Sequence, residues 1–301
     1  MSTDEPVRTR AATQETGHSR DRERPPLPEP LRTPVIDSHC HLDIHDGDVG
    51  APWLGVDDAL AQAAAVGVTR VVQVGCDLPS ARWSVQAAGE HPHLVATVAL
   101  HPNEAPRILE AEGRDALDAA YAEISDLARH ERVRAVGETG LDFFRTGEGG
   151  RAVQEESFRW HIDLAKRVGK PVMIHDRDSH DDVIRVLESE GAPETVVFHC
   201  YSGDAEMARY CTDRGWYLSF AGTVTFKNAS ALREAVAVAP LERLLVETDA
   251  PYLTPTPWRG RPNASYLVPL TVRVMAESAG VDEDTLAHAL WDNAQSVFGP
   301  W

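Results

Sequence analysis

The stretch PVIDSHCHLD, residues 34–43, decides how the rest of the chain is read. An apolar β-branched pair, Val35-Ile36, runs directly into the polar string Asp37-Ser-His39-Cys-His41. That pattern is a short buried strand whose last residues leave the sheet carrying ionisable groups. Successive strand side chains point to opposite faces, so His39 and His41 share one side and Cys40 faces the other.

The same grammar recurs downstream. Strands are expected at Val35–His41, Arg70–Val74, Leu94–Leu100, Arg134–Val136, Pro171–His175, Thr195–His199, Trp216–Phe220 and Leu244–Thr248. Between them, apolar residues at helical spacing predict helices near 56–66, 80–90, 114–130, 152–168, 180–190, 204–214 and 229–238, with more helix over 266–298. Gly67, Gly169, Gly191 and Gly215 stand where helices end before the next strand, the usual place for a left-handed cap. Eight strands each followed by a helix make an α/β fold, a parallel (β/α)8 TIM-type barrel, over residues 34–301. The alternative is an open doubly wound sheet, but no GxGxxG or GxxxxGK[ST] loop accompanies it.

Residues 1–33 are polar, charged and Pro-rich toward their end. They hold too little apolar surface to offset ordering entropy, so a disordered tail is expected there. Lys plus Arg total 29 and Asp plus Glu 47, a net charge of −18. A broad basic surface for nucleic acid is excluded, and any such substrate must be held by local cations or metal. No apolar run approaches the roughly 20 residues of a membrane helix, and no signal-peptide core opens the chain. A cytoplasmic protein is the expectation, with no membrane association and no obligate protein partner evident. The four cysteines, Cys40, Cys76, Cys200 and Cys211, form no CxxC and read as reduced thiols.

In a barrel of this kind the active site lies at the C-terminal strand ends. Those ends carry His39 and His41, His101, Glu138 and Asp142, His175 and Arg177, His199, and Glu247 and Asp249. Separate strands converge, so His39, His41, Glu138, His175, His199 and Asp249 meet as a metal site of imidazole and carboxylate. Six ligands exceed what one catalytic Zn²⁺ takes, so two divalent ions fit better. His39, His41 and Asp249 are assigned to one ion, His175 and His199 to the other, with Glu138 as the bridge. A bridge must be a carboxylate, because an imidazole turns one lone pair to the site. Glu138 and Asp249 are also the catalytic candidates, Asp249 as a general base toward water. The donor set suits Zn²⁺, Mn²⁺, Fe²⁺ or Ni²⁺.

The strings DSHCHLD (37–43), HPNEA (101–105), VGETGLDFFR (136–145), PVMIHDRD (171–178), FHCYSG (198–203) and LVETDAPYL (245–253), in this order, resemble the TatD family of metal-dependent hydrolases, described as DNases. The resemblance implies an amidohydrolase-like (β/α)8 barrel and the same six metal ligands, none substituted here. It implies phosphodiester hydrolysis of DNA, including 3′-to-5′ trimming of single-stranded ends, with Mg²⁺ as the usual assay ion. Aminoacyl-tRNA esters are substrates attached to some relatives. One departure is visible: after Arg259-Gly-Arg261-Pro-Asn263 the family's Glu-Pro is replaced by Ala264-Ser265.

Arg145 and Arg177 follow ligand-bearing strand ends, and Arg259 and Arg261 follow the last strand. Each either clamps phosphate oxygens, which the guanidinium fork matches, or pairs with a surface carboxylate. His101 either bonds a substrate phosphate or holds its loop. Phe143 and Phe144 either stack on a base or pack. Two functions compete: a phosphodiesterase on DNA ends, and a dimetal hydrolase of a small ester, lactone, amide or aminoacyl-tRNA ester. A third, a metal-binding scaffold without catalysis, is weak because all six ligands are present.

Overall fold

The computed structural model describes residues 3–10, 21–46, 53–299 and 301. In chain order its strands are β1 (Arg8–Arg10), β2 (Val35–Cys40), β3 (Ile44–Asp46), β4 (Val68–Gly75), β5 (Leu94–Val98), β6 (Val133–Asp142), β7 (Val172–Arg177), β8 (Val196–Phe198), β9 (Tyr217–Phe220) and β10 (Leu244–Val246). The helices are α1 (Val56–Ala65), α2 (Leu78–Glu90), α3 (Glu104–Glu112), α4 (Arg114–Leu127), α5 (Glu148–Val168), α6 (His180–Glu190), α7 (Ala205–Asp213), α8 (Ser230–Val238), α9 (Val268–Ala279) and α10 (Glu283–Phe298).

Eight of the strands form one parallel sheet in the order β10-β9-β8-β7-β6-β5-β4-β2, a nearly closed barrel. The seam between β2 and β10 is held by His41 N donating to Ala250 O at 2.8 Å and Asp249 N to His39 O at 2.9 Å. Beside it, Asp37 accepts Thr248 N at 2.9 Å and Thr248 Oγ1 at 2.7 Å. The barrel interior is filled by Ile36, Val72, Val74, Val95, Ala135, Met173, Val197 and Leu245, and α10 adds Ala294, Val297 and Phe298. A second, larger apolar layer lies between the strands and the outer helices, where Phe158, Ile162, Val183, Leu187, Val272 and Leu290 are buried. All eight expected barrel strands are present.

Three elements were not expected: β1, β3 and α3. Helix α3 carries Pro106 in its first turn, where the missing N–H costs nothing. Residues 1–33 were expected to be disordered, and where they are described they differ from that. Leu31 is buried and its N–H donates to Val66 O at 3.0 Å. Tyr266 Oη donates to Pro25 O at 2.7 Å, and Arg273 Nη2 to Glu29 O at 2.7 Å. β1 pairs in parallel with β3. The segment's own apolar content is low, but the barrel offers it backbone and side-chain partners. Residues 1–2 and 11–20 lie outside the described residues. No helix among the described residues is long and apolar enough to cross a membrane.

Candidate metal centre

At the C-terminal mouth of the barrel, Glu138 sits between two pairs of imidazoles. Its Oε1 lies 3.8 Å from His39 Nε2 and 3.7 Å from His41 Nε2. Its Oε2 lies 3.1 Å from His175 Nδ1 and 2.7 Å from His199 Nε2. Asp249 closes the first group, with Oδ1 3.3 Å from His41 Nε2 and 3.7 Å from His39 Nε2. The ring nitrogens face one another within each pair, 3.3 Å apart for His39 and His41 and 3.2 Å for His175 and His199. Lone pairs aimed at each other in a buried site repel unless a cation lies among them. Ligands on a tetrahedral ion at 2.0–2.1 Å are spaced about 3.3–3.4 Å apart, so the donor set fits a divalent ion.

The outward ring nitrogens are also held. His41 Nδ1 faces Val74 O at 3.1 Å, which keeps the proton on that side and turns the Nε2 lone pair inward. His199 Nδ1 lies 3.3 Å from Oε1 of the fully buried Glu247. The same oxygen accepts Cys200 N at 2.8 Å. His175 Nε2 lies 3.5 Å from Asp142 Oδ2, and Asn103 Nδ2 donates to that oxygen at 3.1 Å. Asp249 and Cys200 follow their strands in left-handed backbone, with φ of 54° and 43°. Such conformations in non-glycine residues cluster at functional sites.

Burial pushes the Glu138 carboxyl up, but His199 and His175 outweigh it and hold the group well below the usual carboxylate range. Burial and the neighbouring His199 drive the His39 imidazole down, toward its neutral, metal-binding form. Burial, reinforced by His175, lowers His101 to about 3.

The centre opens into a cavity of about 740 Å³. His101, Arg145 and Arg177 line it, as does Asp142. Arg259 and Arg261, read as either phosphate clamps or partners of surface carboxylates, are absent from that lining. Arg259 lies over the Phe226 ring at 4.0 Å. Arg261 pairs with Asp21 at 2.9 Å and Glu23 at 3.1 Å, so the N-terminal segment takes its charge. The loop holding them is tethered by Asn263, whose Nδ2 donates to Thr248 O at 2.9 Å and Tyr252 O at 2.6 Å. Asn263 Oδ1 accepts Ala264 N at 3.0 Å, so the backbone at the Ala264-Ser265 departure joins the tether. The two phenylalanines separate: Phe143 packs against the core with Arg151 over its ring at 4.1 Å, whereas Phe144 is 56% exposed with Arg177 over its ring at 3.9 Å.

Among the lining residues that were missed, three stand out. Cys76 follows β4, and its thiol donates to Glu138 Oε1 at 3.1 Å. The signal was there, since Gly75-Cys76-Asp77 is itself a strand end. Arg8 and Arg10 come from β1, and no motif marks them.

The family described as TatD related DNase matches residues 36–299. The chain is 50% identical over 273 residues to an uncharacterised metal-dependent hydrolase, TatD, of Mycobacterium tuberculosis, covering 88% of this chain and 98% of that protein. It is 36% identical over 266 residues to YabD of Bacillus subtilis, also an uncharacterised metal-dependent hydrolase, covering 88% and 98%. The crystal structure of YjjV, a TatD homologue from Escherichia coli K12, superposes with a TM-score of 0.78 at 29% identity, covering 89% of this chain and 98% of that one. A protein with this barrel, this cluster of imidazoles and carboxylates and these relatives is placed by them: the chain belongs to the TatD family of metal-dependent hydrolases.

Proposed function

We propose that the protein hydrolyses phosphodiester bonds at single-stranded DNA ends, in the 3′-to-5′ direction. Two divalent cations would serve it: His39, His41 and Asp249 would hold one, His175 and His199 the other, and Glu138 would be shared between them. The observation that carries this reading is the split of Glu138, one oxygen toward each imidazole pair, inside a cavity whose walls bear guanidinium groups. Two bound cations lower the pKa of water to near neutrality and offset charge developing on phosphoryl oxygens. Mg²⁺, Zn²⁺ and Mn²⁺ are the candidates, and the imidazole-rich set favours the latter two.

The chain's own residues supply the rest. Asp249 accepts the proton of the attacking water. Arg145 and Arg177, both in the cavity wall, pair with phosphate oxygens. His101, neutral at physiological pH, offers the phosphate a ring N–H or a lone pair rather than a charge. Phe144, exposed beside Arg177, stacks on the adjoining base. The guanidinium groups in the cavity wall suit an anionic diester better than a small neutral ester or lactone.

The test is a cleavage assay on end-labelled single-stranded DNA, with and without each ion, beside Glu138→Ala. The expected result is metal-dependent stepwise shortening from the 3′ end. Glu138→Ala loses at least one ion per chain by elemental analysis, and its turnover falls a hundredfold or more, since outer ligand partners alone are worth about 10–100-fold. No cleavage by protein shown to contain metal points instead to a small ester, lactone, amide or aminoacyl-tRNA ester.

A further inference from the structure

The family match begins at residue 36, yet two side chains from far upstream of it line the metal-centre cavity. Strand β1 pairs Arg8 with Ile44, Thr9 with His45 and Arg10 with Asp46. Its approach is fixed by Val7 N and Arg8 N donating to Asp43 O at 3.0 and 3.2 Å. Trp83 Nε1, in turn, donates to Glu5 O at 3.2 Å.

The two arginines differ in what they do. Arg8 is committed to the fully buried Asp43 through two hydrogen bonds, of 2.6 and 2.9 Å. Its Nη2 is also 3.2 Å from His41 Nδ1. The Arg10 guanidinium lies over the Tyr252 ring at 4.6 Å. Its Nη1 donates to Asp46 at 3.3 Å and to the Pro251 carbonyl. Arg10 thus joins β3, just after the candidate ligand His41, to the loop just after the candidate ligand Asp249. With Arg145 and Arg177 contributed after β6 and by β7, guanidinium groups stand on two sides of one cavity in a chain of net charge −18. Aromatic and carboxylate contacts of this kind orient a guanidinium, and low-dielectric walls extend its field into the cavity.

We propose that β1 is a working wall of the active site, with Arg10 as a binding residue for a backbone phosphate of the substrate and Arg8 as the residue that positions the strand. The phosphate engaged is one neighbouring the scissile bond, held across the cavity from Arg145 and Arg177. This rests on the phosphodiester reading, because it requires a polyanionic substrate.

The probe is a 5′-fluorescein (dT)10 with a phosphorothioate backbone that resists hydrolysis. It is titrated by fluorescence anisotropy against the metal-loaded full chain over a range of salt. Arg10→Gln is expected to weaken binding about five- to twentyfold at low salt and to flatten the slope of log K against log salt by about 0.7, the increment for one phosphate contact on a single strand. Arg10→Lys keeps the slope. Asp46→Asn, which leaves Arg10 in place and removes the Asp46 charge beside it, tightens binding several-fold. A merely structural strand moves thermal stability but not the salt slope. An unchanged slope in folded Arg10→Gln overturns the proposal while leaving the phosphodiester reading intact. If Arg10→Gln does not fold, an Asp46→Asn affinity no tighter than wild type overturns it. Wild-type protein that neither binds nor cleaves oligonucleotide overturns the phosphodiester reading itself.

Discussion

Two residues at the centre act through different physics. Glu247 is not among the six assigned ligands but fixes His199 through Nδ1, at 3.3 Å, and so sets which nitrogen carries the proton. Glu247→Gln keeps the shape and loses the charge. It is expected to weaken metal binding about 10–100-fold, read by chelator competition on folded protein; unchanged affinity would show that Glu247 is only a packing group. Phe144 is one of two large hydrophobic side chains exposed among the described residues, and Arg177 covers one face of its ring. On the proposed function, Phe144→Ala removes about 1–3 kcal/mol of single-strand binding. KM for an oligonucleotide rises while kcat at saturation holds, and an unmoved KM removes Phe144 from the substrate path.

At the level of elements, two strands break strict alternation on their way to the site. Ile36 and His39 both face the barrel interior though they are three residues apart, and so do Ala135 and Glu138. The ladder shifts register between Asp37 and Cys40 on β2 and between Val136 and Thr139 on β6. Each irregularity re-aims the side chain that follows it. Just beyond Glu138, Gly140 has φ of 137°, and a Cβ there would stand 2.1 Å from His175 O, so β6 can lie this close to β7 only without a side chain. A buried histidine ties α5 to the end of β5. His161 Nδ1 donates to Ser157 O at 2.7 Å, and Nε2 accepts Leu100 N at 3.1 Å. Both nitrogens are used in the neutral form, and burial lowers the group from 6.5 to about 4. The folded state therefore resists the proton that the unfolded chain takes up near pH 6.5. This contribution is complete above pH 6.5 and is lost as pH falls toward 4, a difference on the order of 3 kcal/mol. Denaturant titrations at pH 7.5 and 5 should show a smaller pH-dependent loss in His161→Gln than in wild type, and equal losses would remove His161 as the cause.

For the molecule as a whole, the metal-centre cavity brings guanidinium groups and carboxylates together in one wall. The net charge is −18, while Arg8, Arg10, Arg145 and Arg177 all line one cavity. The converging imidazoles and carboxylates tie β2, β6, β7, β8 and the seam after β10 together, so an ion bound there acts on the whole barrel. Because such an ion binds the folded state only, a concentration about 100 times its Kd adds about 2.7 kcal/mol to stability. Chelation is expected to lower Tm by several degrees, with recovery on adding the divalent ion back. A Tm indifferent to chelation in protein that held metal would place the ion outside the barrel seam.

Much of this was legible in the sequence alone. Each barrel strand is a short apolar run, and each candidate ligand follows such a run directly, so local burial and period carry both signals. His39 and His41 sit on one side of β2 because alternation holds between them. Other features only the tertiary structure decided. The shifts that turn His39 and Glu138 inward depend on how neighbouring strands pair, which no single strand records. Cys76 reaches Glu138 because β4 and β6 belong to one barrel. Arg259 and Arg261 were open between phosphate contacts and surface carboxylates, and it is Arg8 and Arg10 that stand in the cavity wall. The reason is physical: a loop's few polar residues are shared among competing carboxylates and aromatic faces. Which cation reaches the substrate is settled by where distant segments meet, not by the distance between residues along the chain.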